Sequence, residues 1–242
     1  MAIDWQEHRR QVHNLGQVQE FLKQIVFGGN DGIVTTFAIV AGFAGAQLSG
    51  TAQIGGIAVL VFGLANLFAD AVSMGLGEFL STRSQHDLYI TQRKFVFKEF
   101  ETHPKQEYEE LLQMMDERGL DPDSARVVAR ELMKSPELVA DLMMNYELEM
   151  HDMRQVSPAM DGLVTFVSFV IFGSIPLAPY FLFDPTPTVF FLSVASTFGA
   201  LACLGLLRWW STRENVLRCV GETVLVGGVC ALVAYVVGVL VA

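Results

Sequence analysis

Charge is scarce in this 242-residue chain. Only 17% of its residues are Asp, Glu, Lys or Arg, against about 25% in an average soluble domain, and 52% are hydrophobic. Cysteine is scarcer still: Cys203, Cys219 and Cys230 lie in or beside apolar stretches without CxxC spacing, which argues against a disulfide scaffold and a cysteine zinc site. Basic residues are outnumbered, 16 against 26 acids, and a net charge of −10 argues against nucleic-acid binding by bulk charge. Glu-x-x-His pairs, which a ferritin-like di-iron site would use, are absent; Glu147 and His151 are four apart, Glu149 and His151 two apart. The polar first 20 residues have no apolar core with a cleavage site, so no signal peptide is expected.

Long apolar blocks are what the chain has in excess. A hydrocarbon core of about 30 Å takes about 20 apolar residues in a helix. Five segments qualify, near residues 25–48, 54–80, 162–183, 189–207 and 220–241; one long polar connection, about 81–157, follows the second. Arg9, Arg10 and Lys23 precede the first span, ten basic residues lie in the long connection, and Arg208, Arg213 and Arg218 separate spans four and five; together these are all 16. The turns near Ser49 and Asp184 and the C-terminus carry none. The positive-inside rule therefore puts the N-terminus and the long connection in the cytoplasm and the C-terminus across the membrane. A plasma membrane and an organelle membrane both fit this pattern.

The first span opens with Asp31-Gly32-Ile33-Val34-Thr35 and the third with Asp161-Gly162-Leu163-Val164-Thr165, 130 residues later. At the same offset Ser81-Thr82-Arg83 matches Ser211-Thr212-Arg213, Gly75-Leu76 matches Gly205-Leu206, and Phe68 matches Phe198. This reads as a duplicated two-helix hairpin, a parallel repeat with an unpartnered fifth span. The expected order is a cytoplasmic segment (1–23), a first transmembrane hairpin (24–80), a cytoplasmic helical domain (81–157), a second hairpin (158–210) and the fifth span (211–242). The class is all-α membrane protein, five transmembrane helices with a helical cytoplasmic metal-binding domain between spans two and three.

Acids at membrane depth need a partner or a pathway, since insertion costs at least about 2.5–3.5 kcal/mol each. Asp31 lies in span one, Asp70 near the middle of span two, Glu78 near its cytoplasmic end and Glu222 near the start of span five. Asn66, Asp70 and Met74 are spaced by four and stack on one helix face, and Glu78 continues the row with some drift. Such a row presents oxygen and thioether ligands to a line of ions. The structural alternative is that Asn66 and Asp70 bind helices together by hydrogen bonds, with Met74 as filler. Asp31, within Gly28-Gly29-Asn30-Asp31-Gly32, has a second possibility as the cap of a broken helix start. In the second hairpin the row is Ser196, Ala200, Leu204 and Arg208, so the polar chemistry sits in the first.

The polar connection holds 16 acids and seven of the ten methionines. Span two is expected to run on to about Glu101, with helices following over about 105–118, from Asp121-Pro122 to about Lys134, and from Ser135-Pro136 to about Met153. Glu107 and Glu110 share a face, as do Met143 and Met144 with Glu147; Glu99 lies one turn before Pro104, near Glu101 and His103. Taken singly, these acids read first as a solvated face and the methionines as a small core. A four-helix array turning them inward would bind a divalent transition metal without di-iron redox chemistry.

Residues 25–32 and 41–46 of span one, followed by Ser73-Met74-Gly75-Leu76-Gly77-Glu78-Phe79-Leu80, resemble the vacuolar iron transporter family, and the similarity covers almost the whole chain from about residue 20. The resemblance implies a homodimer with an ion path at its interface, lined by the first two spans, that exports Fe²⁺ and often Mn²⁺ from the cytosol against inward protons. It implies that Asp31 and Met74 are the pore aspartate and methionine, and that Glu99, Glu107, Glu110, Met143, Met144 and Glu147 are metal ligands. Asn66 departs from the family's pore glutamate, Asp70 stands where a small residue is usual, and Val96 replaces a domain glutamate.

The expectation is a transporter, not an enzyme. It moves Fe²⁺ and/or Mn²⁺ outward in exchange for protons, requires no cofactor, and has metal ions, protons, lipid and a second copy of itself as partners. The alternative is a membrane-anchored metal buffer or sensor, which needs the cytoplasmic acids but not the intramembrane ones.

Overall fold

The computed structural model describes residues 7–8, 16–48, 56–183 and 186–241. The turns near Ser49 and Asp184 and most of the N-terminal segment lie outside the described residues. The helices are α1 (Gln17–Glu20), α2 (Leu22–Leu48), α3 (Gly56–Thr102), α4 (Pro104–Glu117), α5 (Pro122–Leu132), α6 (Pro136–Tyr146), α7 (Pro158–Ser174), α8 (Ala178–Leu182), α9 (Pro187–Thr212) and α10 (Val216–Val241). No strand occurs among the described residues. Among the described residues, five helical stretches are long and apolar enough to cross a membrane: Leu22–Gly45, Gly56–Thr102, Pro158–Leu182, Thr188–Thr212 and Val216–Leu240. The chain divides into two compact units, Met1–Phe79 with Ala159–Ala242, and Leu80–Pro158.

In the first unit, glycines set how closely the helices approach. α2 runs unbroken through Gly28-Gly29-Asn30-Asp31-Gly32, so the cap of a broken helix expected as one possibility for Asp31 does not form. Those glycines serve packing instead. A Cβ on Gly28 would stand 2.6 Å from the Thr165 carbonyl oxygen, and one on Gly32 2.5 Å from that of Phe169, both on α7. On the other side of α7, a Cβ on Gly162 would stand 2.5 Å from the Gly75 carbonyl oxygen on α3. α7 is thus seated between α2 and α3 through small residues, the usual route to tight association where lipid offers no hydrophobic drive. The repeated motif carries a repeated bond: Thr35 Oγ1 donates to the Asp31 carbonyl at 2.8 Å and Thr165 Oγ1 to the Asp161 carbonyl at 2.9 Å.

The third span is not one helix over 162–183, as its unbroken apolar run suggests. α7 stops at Ser174, a 3₁₀ turn covers Ile175–Leu177, and α8 follows. Pro176 and Pro179 lack the N–H groups that would continue the ladder. The carbonyls this frees are met from α9: Ser193 Oγ donates to Pro176 O at 2.6 Å and Ser196 Oγ to Ile175 O at 3.3 Å.

The second unit is built by the end of α3 with α4, α5 and α6. Tyr89, Val96, Leu111, Met115, Ala125, Ala129, Val139, Ala140, Met143 and Met144 form its core. Local chemistry sets the helix ends. Asp121 caps α5 by accepting from the Asp123 and Ser124 amides at 3.2 and 3.0 Å. Gly119, at φ +83°, lets the chain leave α4 with the Leu120 amide bonded back to Met115 O at 3.0 Å. α6 ends at Tyr146, short of the expected Met153. Glu149 adopts φ 52° and the Met150 amide returns to Met144 O at 2.8 Å, so a non-glycine residue makes the left-handed stop that the sequence pattern conceals.

Gly162→Val places side-chain atoms against the α3 backbone, which cannot swing aside. The thermal midpoint of the detergent-solubilised chain should fall, at a cost of about 1–3 kcal/mol. Gly221→Ala, where a Cβ meets nothing within 4 Å, should leave it unchanged or slightly higher. Equal midpoints for the two variants would contradict the α3–α7 seam.

Candidate functional site

Two half-buried carboxylates in the first unit, one on α2 and one on α3, have no counter-ion among the described residues. Asp31 on α2 and Asp70 on α3 are close enough for their charges to repel. Asp70 Oδ2 accepts from Asn66 Nδ2 at 2.6 Å, a bond within one helix. Among the described residues, no side chain donates to the Asp31 carboxylate and no Lys, Arg or His pairs with either acid. The position of the pair on α3 matters. Leu67, Ala71 and Gly75 are buried on one side, while Val61, Phe62, Phe68, Val72 and Leu76 are exposed on the other. Asn66 and Asp70 sit at the margin of that exposed apolar face.

The row turns inward along the helix. Met74 packs against Leu67, Ala71 and Phe169, so its sulfur has apolar neighbours. Glu78 is neutralised: Lys23 Nζ donates to its Oε1 at 3.1 Å. Glu222, the fourth intramembrane acid, is held by Arg208 Nη2 at 3.2 Å and Arg218 Nε at 3.0 Å and joins α9 to α10. It stands apart from the Asp31–Asp70 pair as a closed ion pair. Sequence reasoning missed both ion pairs. Lys23 at the foot of span one and Arg208 at the repeat position of Glu78 were the available signals.

The second unit gathers four of the acids singled out from sequence. Glu107 is buried at 5% exposure and its Oε2 has no hydrogen-bond partner. Burial pushes its carboxyl up to about 7, helped by the charges of Glu110, Glu147 and Glu99. Glu147 is likewise raised, by burial and then by Glu110. Glu110 takes a bond from Gln106 Nε2 at 2.8 Å and Glu99 one with His103 Nδ1 at 2.9 Å. No three His, Cys, Asp or Glu side chains among the described residues stand in ready metal-holding geometry. The feature that sets Glu107 apart from the other three is its buried, unpartnered oxygen. Met143 and Met144, each 1% exposed, lie in the core with Tyr89 and Leu111, and Val96 fills the same core.

An arginine network unseen in the sequence holds the irregular stretch after α6. Arg154 grips Asp152 with Nε and Nη2 at 2.9 and 2.7 Å and reaches Asp141 at 3.0 Å; Arg93 bonds the other oxygen of Asp141, also at 3.0 Å. Asp152 is held down to about 2, chiefly by the Arg154 bond. These partners lie up to 48 residues apart, and no periodicity marks them.

Residues 22–239 match the VIT family. The chain is similar to the vacuolar iron transporter of Plasmodium falciparum, 32% identical over 238 residues, covering 94% of this chain and 84% of that protein. It is similar to vacuolar iron transporter 1 of Arabidopsis thaliana, at 30% over 216 residues, 89% and 84% of the two chains. It is also similar to the vacuolar iron transporter of Toxoplasma gondii, at 32% over 228 residues, 90% and 74%.

The raised Glu107 carboxyl has a stability consequence. Between the ordinary value of 4.5 and about 7, the folded chain binds more protons than the unfolded one, so stability falls as pH rises through that window. The full excursion is worth about 3 kcal/mol. Without metal, the detergent-solubilised chain should melt higher at pH 5 than at pH 7.5, and Glu107→Gln should shrink the difference. An identical difference in wild type and variant would show that Glu107 ionises without penalty.

Proposed function

The chain belongs to the VIT family, and from that premise we propose that it is a metal ion transporter that moves Fe²⁺ and/or Mn²⁺ out of the cytosol in exchange for protons. The observation that carries this reading is the Asp31–Asp70 pair. The charges of two carboxylates, one on α2 and one on α3, oppose one another, and no Lys, Arg or His among the described residues pairs with either. A divalent cation or protons can neutralise such a pair, and each excludes the other, as exchange requires. The names of the relatives point to iron as cargo. Oxygen ligands with a nearby thioether, Met74, accept Mn²⁺ as well.

The reading assigns the ion path to Asp31, Asn66, Asp70, Met74 and Glu78. Asn66 orients the Asp70 carboxylate, and Met74, one turn further along α3, is the thioether of the path. Because Asp70 lies at the edge of an exposed apolar face, a lone subunit would present a carboxylate to lipid. A homodimer that covers this face gives the acid a second protein surface and places the path along the interface. The Leu80–Pro158 unit is assigned to metal binding in the cytoplasm. Glu107, Glu110, Glu147 and Glu99 take the cation's charge, and Met143 and Met144 line the core side. The N-terminus then lies in the cytoplasm and the C-terminus across the membrane, as the basic residues suggest.

In proteoliposomes with an imposed pH gradient, Asp31→Ala and Asp70→Ala should each lower Fe²⁺ and Mn²⁺ flux by about tenfold or more, the equivalent of ~1.4 kcal/mol. Flux unchanged in both variants would defeat the mechanism. Equilibrium metal binding without flux in the wild type would favour a membrane-anchored buffer or sensor.

A further inference from the structure

Glu78 differs from the other acids of its row in already holding a cation, and the way it holds that cation is informative. Its side chain is 11% exposed, whereas that of Lys23 is 73% exposed. The carboxylate is the enclosed member of the pair, and the ammonium is the exposed one at the end of a long stem. Their single bond, at 3.1 Å, joins α2 to α3. The equivalent position in the second hairpin shows what a permanent tie looks like in this fold. Arg208 bonds Glu222, the Thr223 hydroxyl at 3.1 Å and the Cys219 carbonyl at 3.4 Å, three partners that fix one planar group. Among the described residues Lys23 has one partner, and its exposure makes the bond weak against a competitor.

A buried carboxylate needs a counter-charge whether or not metal is present. A lysine ammonium supplies one at low cost in affinity. A divalent cation brings twice the charge to the same oxygens, and the displaced ammonium returns to water. We propose that Lys23 is a tethered substitute for the metal at Glu78: it neutralises the carboxylate while the path is empty, gives way when a divalent cation arrives, and so sets the metal concentration at which the path fills. This inference rests on the transport reading and adds a residue that regulates the same site.

The test is Mn²⁺ uptake into proteoliposomes, with initial rate measured against Mn²⁺ concentration. Lys23→Gln should lower KM by about threefold to fivefold, the range for removing a competitor held by one exposed ion pair. Lys23→Arg, which grips the carboxylate with two N–H groups, should raise KM. Glu78→Gln should raise KM and abolish the effect of Lys23→Gln in the double variant. An unchanged or raised KM in Lys23→Gln overturns the inference, as does a lowered KM in Lys23→Arg. If Lys23 only braced the helices, Lys23→Gln would reduce the maximal rate with KM unaltered, and Lys23→Arg would restore it. Absence of saturable uptake by the wild type overturns the transport reading and this inference together, whereas saturable uptake with KM indifferent to Lys23 overturns this inference alone.

Discussion

A carboxylate at lipid depth must find a cation, a proton or a wet surface, and the arrangement of the first unit follows from how each acid meets that demand. Glu222 is closed by two arginines. Glu78 is closed by one flexible lysine. Among the described residues Asp31 and Asp70 meet no cationic side chain; Asp70 accepts from Asn66, and the charges of the two acids oppose one another. The series runs from an acid held by two arginines, through one held by a single lysine, to a pair that meets no cationic side chain among the described residues. The carboxylates are thus divided by the number of cationic partners each is given.

The glycine seams make this division possible. α2 and α3 bring Asp31 and Asp70 within range of one another while α7 is wedged against both, its backbone almost touching theirs at Gly32 and Gly75. Larger residues at those points would spread the helices. The two stretches that share the Asp-Gly-x-Val-Thr motif also share a threonine back-bond. In the third span a proline turn with serine-satisfied carbonyls takes the place of a continuous helix.

The second unit solves a different problem with the same residue types. Its core is apolar and includes Met143 and Met144. Glu107 is drawn into that surface with one oxygen left bare, and three more acids add to its charge. The Arg154–Asp152 and Arg93–Asp141 bonds hold the stretch that follows Glu147.

Five membrane crossings, the run of α3 past the apolar block, and the starts of α4, α5 and α6 at Pro104, Asp121-Pro122 and Ser135-Pro136 were readable one residue at a time. Hydropathy, capping groups and proline act over a turn or two of chain. The early end of α6 was hidden because Glu149 does what glycine usually does, and the kink in span three was masked by an unbroken apolar run. The sequence alone determined which segments are helical and which carry acids. Tertiary structure decided which acids meet, which are paired and which are left bare. Asp31 meets Asp70, Glu78 meets Lys23 and Glu222 meets Arg208 across helices, Lys23 as far as 55 residues from Glu78, and which helix faces come together is settled by packing that leaves no local mark in the chain.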